Sequence, residues 1–246
     1  MDIKERTAVV SGDGAPMSLF VAEPASTGPH PVVLVFMEAF GVNEHIKNVT
    51  RRFAGEGFFA AAPDLFYRQG RDIVIPYTDI ARVMPIIQAM NDVQTQVDIR
   101  VAIDFVKTQA SAKAERIGCV GYCLGGTASW ISACVNRDIK AAVVYYSGGL
   151  ITRETSLRRP VSPHEYAPLL TAPVMGNFGE TDQNPPAADV QAVDAMLAKM
   201  GKVHDFKLFA GAGHGFSCDE RPSFNKQASE EAWARTLGWF GKYLNA

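Results

Sequence analysis

Cysteine and histidine are scarce in this chain, at four and five residues of 246, and their placement excludes whole classes of protein. Cys119, Cys123, Cys134 and Cys218 fit neither a disulfide framework nor paired zinc knuckles. His30, His45, His164 and His204 share no metal-site spacing, so neither a metal nor a cofactor is expected. An excess of charge is also missing: 24 Lys and Arg stand against 26 Asp and Glu, a net −2. That balance gives no long-range pull toward nucleic acid or an anionic membrane, and neither is expected as a partner. No apolar run is long enough to span a bilayer, and Met1-Asp2-Ile3-Lys4-Glu5-Arg6 is charged where a signal peptide would be apolar. A cytoplasmic protein is the expectation. Repeats, low-complexity tracts and linker-like composition shifts are lacking as well, so residues 1–246 are expected to form a single domain.

What is present is enough apolar material for a large core, 47% hydrophobic against 20% charged residues. Thr7 to Val10 and Met17 to Val21 flank Gly12-Asp13-Gly14 and read as a hairpin. Strand-like runs then alternate with amphipathic stretches: Val32 to Met37, a polar-faced segment from Glu44 to Glu56, Phe58 to Ala62, a long helical region from about Thr78 to Thr108, and Ile117 to Val120. A helix to Val135 follows, then strands Ala141 to Tyr146 and Ala172 to Asn177, a helix Ala187 to Met200, a strand Phe206 to Phe209 and a helix Ser229 to Leu244. This order predicts an α/β fold with a mainly parallel sheet flanked by helices. Gly148 to Pro168 breaks the rhythm and predicts an exposed loop or short lid.

The most informative local pattern is Gly121-Tyr122-Cys123-Leu124-Gly125-Gly126, directly after a strand and opening a helix. Small residues two before and two after a nucleophile allow the sharp strand-to-helix turn of an α/β-hydrolase elbow. Here the nucleophile is sulfur. A thiol ionises more readily than a serine hydroxyl, but its thiolate also leaves a tetrahedral intermediate more readily, so good leaving groups are favoured. Parallel sheets gather functional groups at the carboxyl ends of their strands. Asp182, in Gly179-Glu180-Thr181-Asp182, and His214, in Gly211-Ala212-Gly213-His214-Gly215, both follow predicted strands.

Nucleophile, acid and base thus stand in the hydrolase chain order, with Glu180 and Asp205 as rivals for the acid. The Leu124 N–H and one near Ala39 are the expected oxyanion donors. Glu38 ends the run Val32 to Met37 at the same edge, where a carboxylate needs a hydrogen-bonding or cationic partner, and a neighbouring thiol would serve. Cys119 and Cys134 read as inert packing. Tyr145 and Tyr146 end a strand there, as core or as substrate contacts, and Tyr122 has the same ambiguity.

Met37-Glu38-Ala39-Phe40-Gly41-Val42-Asn43, Ala62-Pro63-Asp64-Leu65-Phe66, the cysteine elbow and Gly211-Ala212-Gly213-His214-Gly215-Phe216 together resemble the dienelactone hydrolase family over nearly the whole chain. The resemblance implies an α/β-hydrolase fold without a large cap. It also implies opening of dienelactone, a carboxylated cyclic enol ester, to maleylacetate, a step of chloroaromatic breakdown. In that family the matching glutamate pairs with the resting thiol, and substrate binding rearranges the pair so that the glutamate takes the thiol proton. Glu38 and Cys123 would do so here. Family arginines hold the substrate carboxylate; the matching candidates are Arg82 and Arg221, the latter displaced along Phe216-Ser217-Cys218-Asp219-Glu220-Arg221. Met37 stands where the family usually has glutamine. Phe40 and Tyr145 complete the expected substrate contacts. The leading expectation is a carboxylic ester hydrolase acting on a small activated ester or lactone, with or without a carboxylate. Its rivals are a general carboxylesterase or thioesterase of the same fold, and a non-hydrolytic thiol-based binding or redox-sensing protein.

Overall fold

The computed structural model describes residues 1–245. Its first two strands, β1 (Ile3–Ser11) and β2 (Pro16–Pro24), form the expected hairpin, paired from Ile3 opposite Pro24 to Ser11 opposite Pro16. Thereafter the chain alternates: β3 (His30–Phe36), α1 (Glu44–Gly55), β4 (Phe59–Pro63), α2 (Ile80–Ala89), α3 (Asp92–Lys107), β5 (Ala112–Tyr122), α4 (Leu124–Val135), β6 (Ile139–Tyr145), β7 (Val174–Gly179), α5 (Ala187–Lys199), β8 (His204–Phe209) and α6 (Lys226–Leu244). The eight strands lie in the order β1-β2-β4-β3-β5-β6-β7-β8. Pairing is parallel from β4 through β8 and antiparallel only where β2 meets β1 and β4. This is the α/β-hydrolase architecture. Covered on both faces, β3 and β4 read as unbroken apolar runs because neither face meets water. No described helix is long and apolar enough to cross a membrane.

Two of these regions show more detail than the sequence conveys. The helical region Thr78 to Thr108 consists of two helices, broken at Met90, whose ψ of 156° is extended. Asn91 starts the second helix by accepting the Val93 and Gln94 N–H groups at 2.9 and 3.1 Å, the role for which asparagine suits an N-cap. The segment after β6 is irregular and partly exposed, as expected, and it is pinned to the body of the fold. Trp130 Nε1 donates to the Pro163 carbonyl at 2.6 Å, Arg159 Nε donates to Asp92 Oδ2 at 2.6 Å, and Pro163–Leu169 winds into a 3₁₀ turn. Leu150, Arg159 and Ser162 are buried, although Leu157 at its tip is exposed.

Candidate active site

β5 delivers Cys123 into a backbone conformation of φ 55°, ψ −114°, directly before α4. L-residues avoid this region, so the turn must be held by its surroundings. Gly121 and Gly125 make that possible by close approach. A Cβ on Gly121 would stand 1.8 Å from the Gly125 oxygen, and one on Gly125 would stand 2.3 Å from the Phe36 oxygen. The Gly125 N–H donates to the Met37 carbonyl at 3.0 Å, which fastens the start of α4 to the end of β3. Cys123 itself is partly exposed, and its thiol is the only one of the four that is not buried. Burial pushes the Cys119 thiol up to about 12 and the Cys134 thiol higher still, as inert packing requires.

The loops after β7 and β8 are tied together by Thr181, whose N–H and hydroxyl both donate to the Ala212 carbonyl, at 3.0 and 2.9 Å. That tie carries Asp182 to His214: Nδ1 and Oδ2 are 2.9 Å apart, with Asp182 buried. The rivals are occupied elsewhere. Glu180 Oε2 accepts the Gly211 N–H at 3.0 Å, and Asp205 pairs with Arg235 at 3.0 Å. With Nδ1 on Asp182, Nε2 is the ring nitrogen left for the thiol. Burial works against a charged His214 imidazole, but hydrogen bonds to Asp182 and to Cys123 outweigh it and push the ring up to about 10. Tyr146 meets this ring edge-on, with centroids 5.3 Å apart, and its hydroxyl is 2.8 Å from Ser217 Oγ.

Glu38 is fully buried at the end of β3, and it finds the hydrogen-bonding and cationic partners expected of it, though not the thiol. Tyr77 donates its hydroxyl to Oε2 at 2.9 Å, and Arg221 Nη1 donates to Oε1 at 3.2 Å. Among the described residues no hydrogen bond joins Glu38 to the Cys123 thiol, so the expected resting pair is not formed. A cation already holds Glu38, so a thiol is not needed to satisfy it. Asn43 caps α1 through Oδ1, accepting the Ile46 N–H at 3.1 Å, and its Nδ2 donates to the Tyr77 oxygen at 2.9 Å. Cys218 adds a thiol donor to the same oxygen at 3.2 Å. Arg221 also lies over the Phe40 and Tyr77 rings, 5.8 and 5.7 Å from their centroids. Sequence spacing flags neither Tyr77 nor Cys218 as a neighbour of Glu38. The available signal is only that a carboxylate placed at a strand end must find donors. Spacing also leaves His45 aside, yet His45, Cys218 and Glu38 bring ligand-type atoms within 4.8 Å of one another.

The other expected site residues divide. Leu124 begins α4, so its N–H has no intrahelical acceptor. Among the described residues neither it nor the Ala39 N–H is taken by another protein group. Phe40 is buried and tilted against Tyr77, 4.5 Å between centroids, in a small apolar cluster with Ala39, Ile75 and Val83 against which Leu124 packs. Tyr145 is corrected from substrate contact to core. It stacks on Tyr122 at 4.7 Å and shares a 2.7 Å hydrogen bond with Thr236 of α6, because strand alternation turns it to the helix-covered face. Arg82 lies on α2 with its side chain 63% exposed, beside Asp79 at 3.8 Å.

Residues 17–244 match the model of the dienelactone hydrolase family. A relative from Methylorubrum extorquens, named "Putative carboxymethylenebutenolidase", is 38% identical over 223 residues, which cover 90% of this chain and 75% of that protein. A Bradyrhizobium protein named "Probable 2-oxo-3-(5-oxofuran-2-ylidene)propanoate lactonase" is 27% identical over 232 residues, 93% of this chain and 90% of that one. Among solved structures, a "Putative Dienelactone Hydrolase" from Klebsiella pneumoniae superposes with a TM-score of 0.90 at 30% identity, covering 99% of this chain and 100% of that chain.

Proposed function

The chain belongs to the dienelactone hydrolase family of hydrolytic enzymes, and from that premise we propose that it opens activated esters or enol lactones through a thioester on Cys123. The observation that carries this reading is the convergence on one sheet edge of a partly exposed thiol, a His214–Asp182 pair and the buried Glu38. In the proposed first step the Cys123 thiolate attacks the carbonyl carbon. The carbonyl electrons move to oxygen between the Leu124 and Ala39 N–H groups, and collapse breaks the C–O bond and expels an enolate. The expelled enolate takes the proton that His214 carries; in the second step water attacks the thioester, the now neutral His214 takes its proton, and the C–S bond breaks to return sulfur.

Glu38 has a part because of His214. An imidazole held protonated up to about 10 has no lone pair for the thiol proton at neutral pH, whereas a carboxylate does. Glu38 is restrained by Arg221, so a substrate carboxylate that draws on Arg221 would release Glu38 toward Cys123 and arm the thiol only when substrate is bound. Between turnovers the thiol would then be less open to oxidation. The lactone named for the Bradyrhizobium relative is an enol ester bearing a carboxylate, the substrate class this scheme favours.

The test is steady-state hydrolysis of a carboxylated enol lactone and of a neutral aryl ester. Wild type should turn over both and prefer the carboxylated one, Cys123→Ala should lose both, and Glu38→Gln should lose most turnover of the lactone. Full activity of Cys123→Ala would end this reading.

A further inference from the structure

We infer that Glu38, His45 and Cys218 form a site for a zinc-type divalent metal, and that a metal bound there switches the hydrolase off. The three side chains are buried, and their ligand atoms lie within 4.8 Å of one another. One of them is visibly incomplete: His45 is 5% exposed, and its Nε2 has no hydrogen-bond partner among the described residues. A buried imidazole nitrogen left without a partner costs free energy that a ligand would recover. Its other nitrogen, Nδ1, lies 3.8 Å from Asp219 Oδ1. That carboxylate lies beyond hydrogen-bond reach but adds negative charge beside the ring.

The donor chemistry is specific. Thiolate, imidazole and carboxylate together suit zinc, and three protein ligands leave a fourth position for water. Each Glu38 oxygen keeps a lone pair beyond the one it gives to Tyr77 or Arg221. On binding, the Cys218 S–H bond breaks, its electron pair forms the sulfur–metal bond and its proton leaves to solvent. The metal has its own way in. A cavity of about 340 Å³ between α1, the start of α6 and the segment after His214 is lined by His45, Ser217, Asp219, Phe224 and Glu230. It therefore reaches the cluster from the side of His45.

The switch rests on the reading of Glu38 as the group that arms Cys123. A carboxylate tied to a metal is not free to move to the thiol, so substrate would no longer generate the thiolate. Binding and switching are separable in one experiment. Cobalt(II) is titrated into Cys123→Ala, in which the nucleophile cannot contribute a sulfur ligand. One equivalent should produce a thiolate-to-cobalt charge-transfer band. Cys123→Ala combined with Cys218→Ala should lose that band, and Cys123→Ala combined with His45→Gln should bind at least about tenfold more weakly. Near-ultraviolet circular dichroism verifies that each variant is folded. Absence of the band in Cys123→Ala, or its persistence without Cys218, overturns the site whatever the fate of the hydrolase reading. In the second arm zinc should inhibit the wild type reversibly to chelator, and His45→Gln should need at least about tenfold more zinc for equal inhibition. Equal sensitivity of both overturns the switch and places inhibition at Cys123 and His214.

Discussion

Cys123 is held in a costly backbone conformation, because its φ of 55° and ψ of −114° lie outside the conformations L-residues prefer. Such strain is worth on the order of 1–3 kcal/mol and persists only where the surroundings impose it. Cys123→Gly relieves it, against roughly 0.5–1 kcal/mol for the added freedom of glycine in the unfolded chain. That variant should be inactive yet more stable by about 1 kcal/mol, while Cys123→Ala, which keeps a Cβ, should gain nothing; urea unfolding of the two separates them. Asp182 is the opposite case, a residue whose value lies in position. Its 2.9 Å bond to Nδ1 sets which ring nitrogen faces the thiol, so Asp182→Asn should cost about 10²–10⁴ in kcat, the range of a misplaced acid–base group. A loss below tenfold, measured on an aryl ester, would argue that Glu180 or another acid serves.

At the scale of elements, the molecule is organised by how closely α4 meets β3 and β5. Gly125→Ala would place a methyl 2.3 Å from the Phe36 oxygen and 2.6 Å from the Met37 oxygen. Those atoms are backbone at the end of β3 and just past it and yield little, so the cost should approach about 3 kcal/mol, the upper part of the overpacking range. The elbow and oxyanion geometry should be lost with it; thermal unfolding and ester turnover should fall together, and a variant of full stability would show that α4 can shift. This junction is legible in the amino-acid sequence, because glycine at fixed offsets from a cysteine has few other uses. The chain order of Cys123, Asp182 and His214 is legible for a related reason: parallel strands put their following loops on one edge. Contacts made across long stretches of chain are not. Tyr77 meets Glu38 across 39 residues and Arg221 meets it across 183, and no local period encodes such a meeting. The break at Met90 is hidden because Asn91 reads as an ordinary polar helix residue until its side chain is seen capping α3. Tyr145 is obscured by the ambiguity of a strand end: both it and Tyr146 pack against Tyr122 and Phe216, but only Tyr146 also meets His214.

Across the whole molecule, the loops after β7 and β8 are joined by the Asp182–His214 pair, so the proton on His214 is also a fastening of the fold. The imidazole is raised from 6.5 to about 10, and a raised group binds its proton more tightly when folded. Its stabilisation is therefore complete below pH 6.5 and drains away as the pH climbs through 10. Buried thiols act in the same direction at higher pH. Burial raises Cys119 and Cys218 from 9.0 to about 12, so above pH 9 the unfolded chain releases protons that the folded chain retains. Stability should thus decline in two stages, His214 governing the first and the thiols contributing to the second. A hydrogen bond to a charged group contributes about 1.5–3 kcal/mol, which sets the size expected of the first stage. Urea midpoints measured at intervals from pH 6 to 10 should fall steadily for the wild type. For His214→Gln the curve should start lower and stay level until the thiols begin to ionise. A His214→Gln curve parallel to the wild type throughout would mean that the imidazole carries no raised proton affinity in the folded chain. His214 could then take the thiol proton itself at neutral pH, and Glu38 would not be needed as its acceptor.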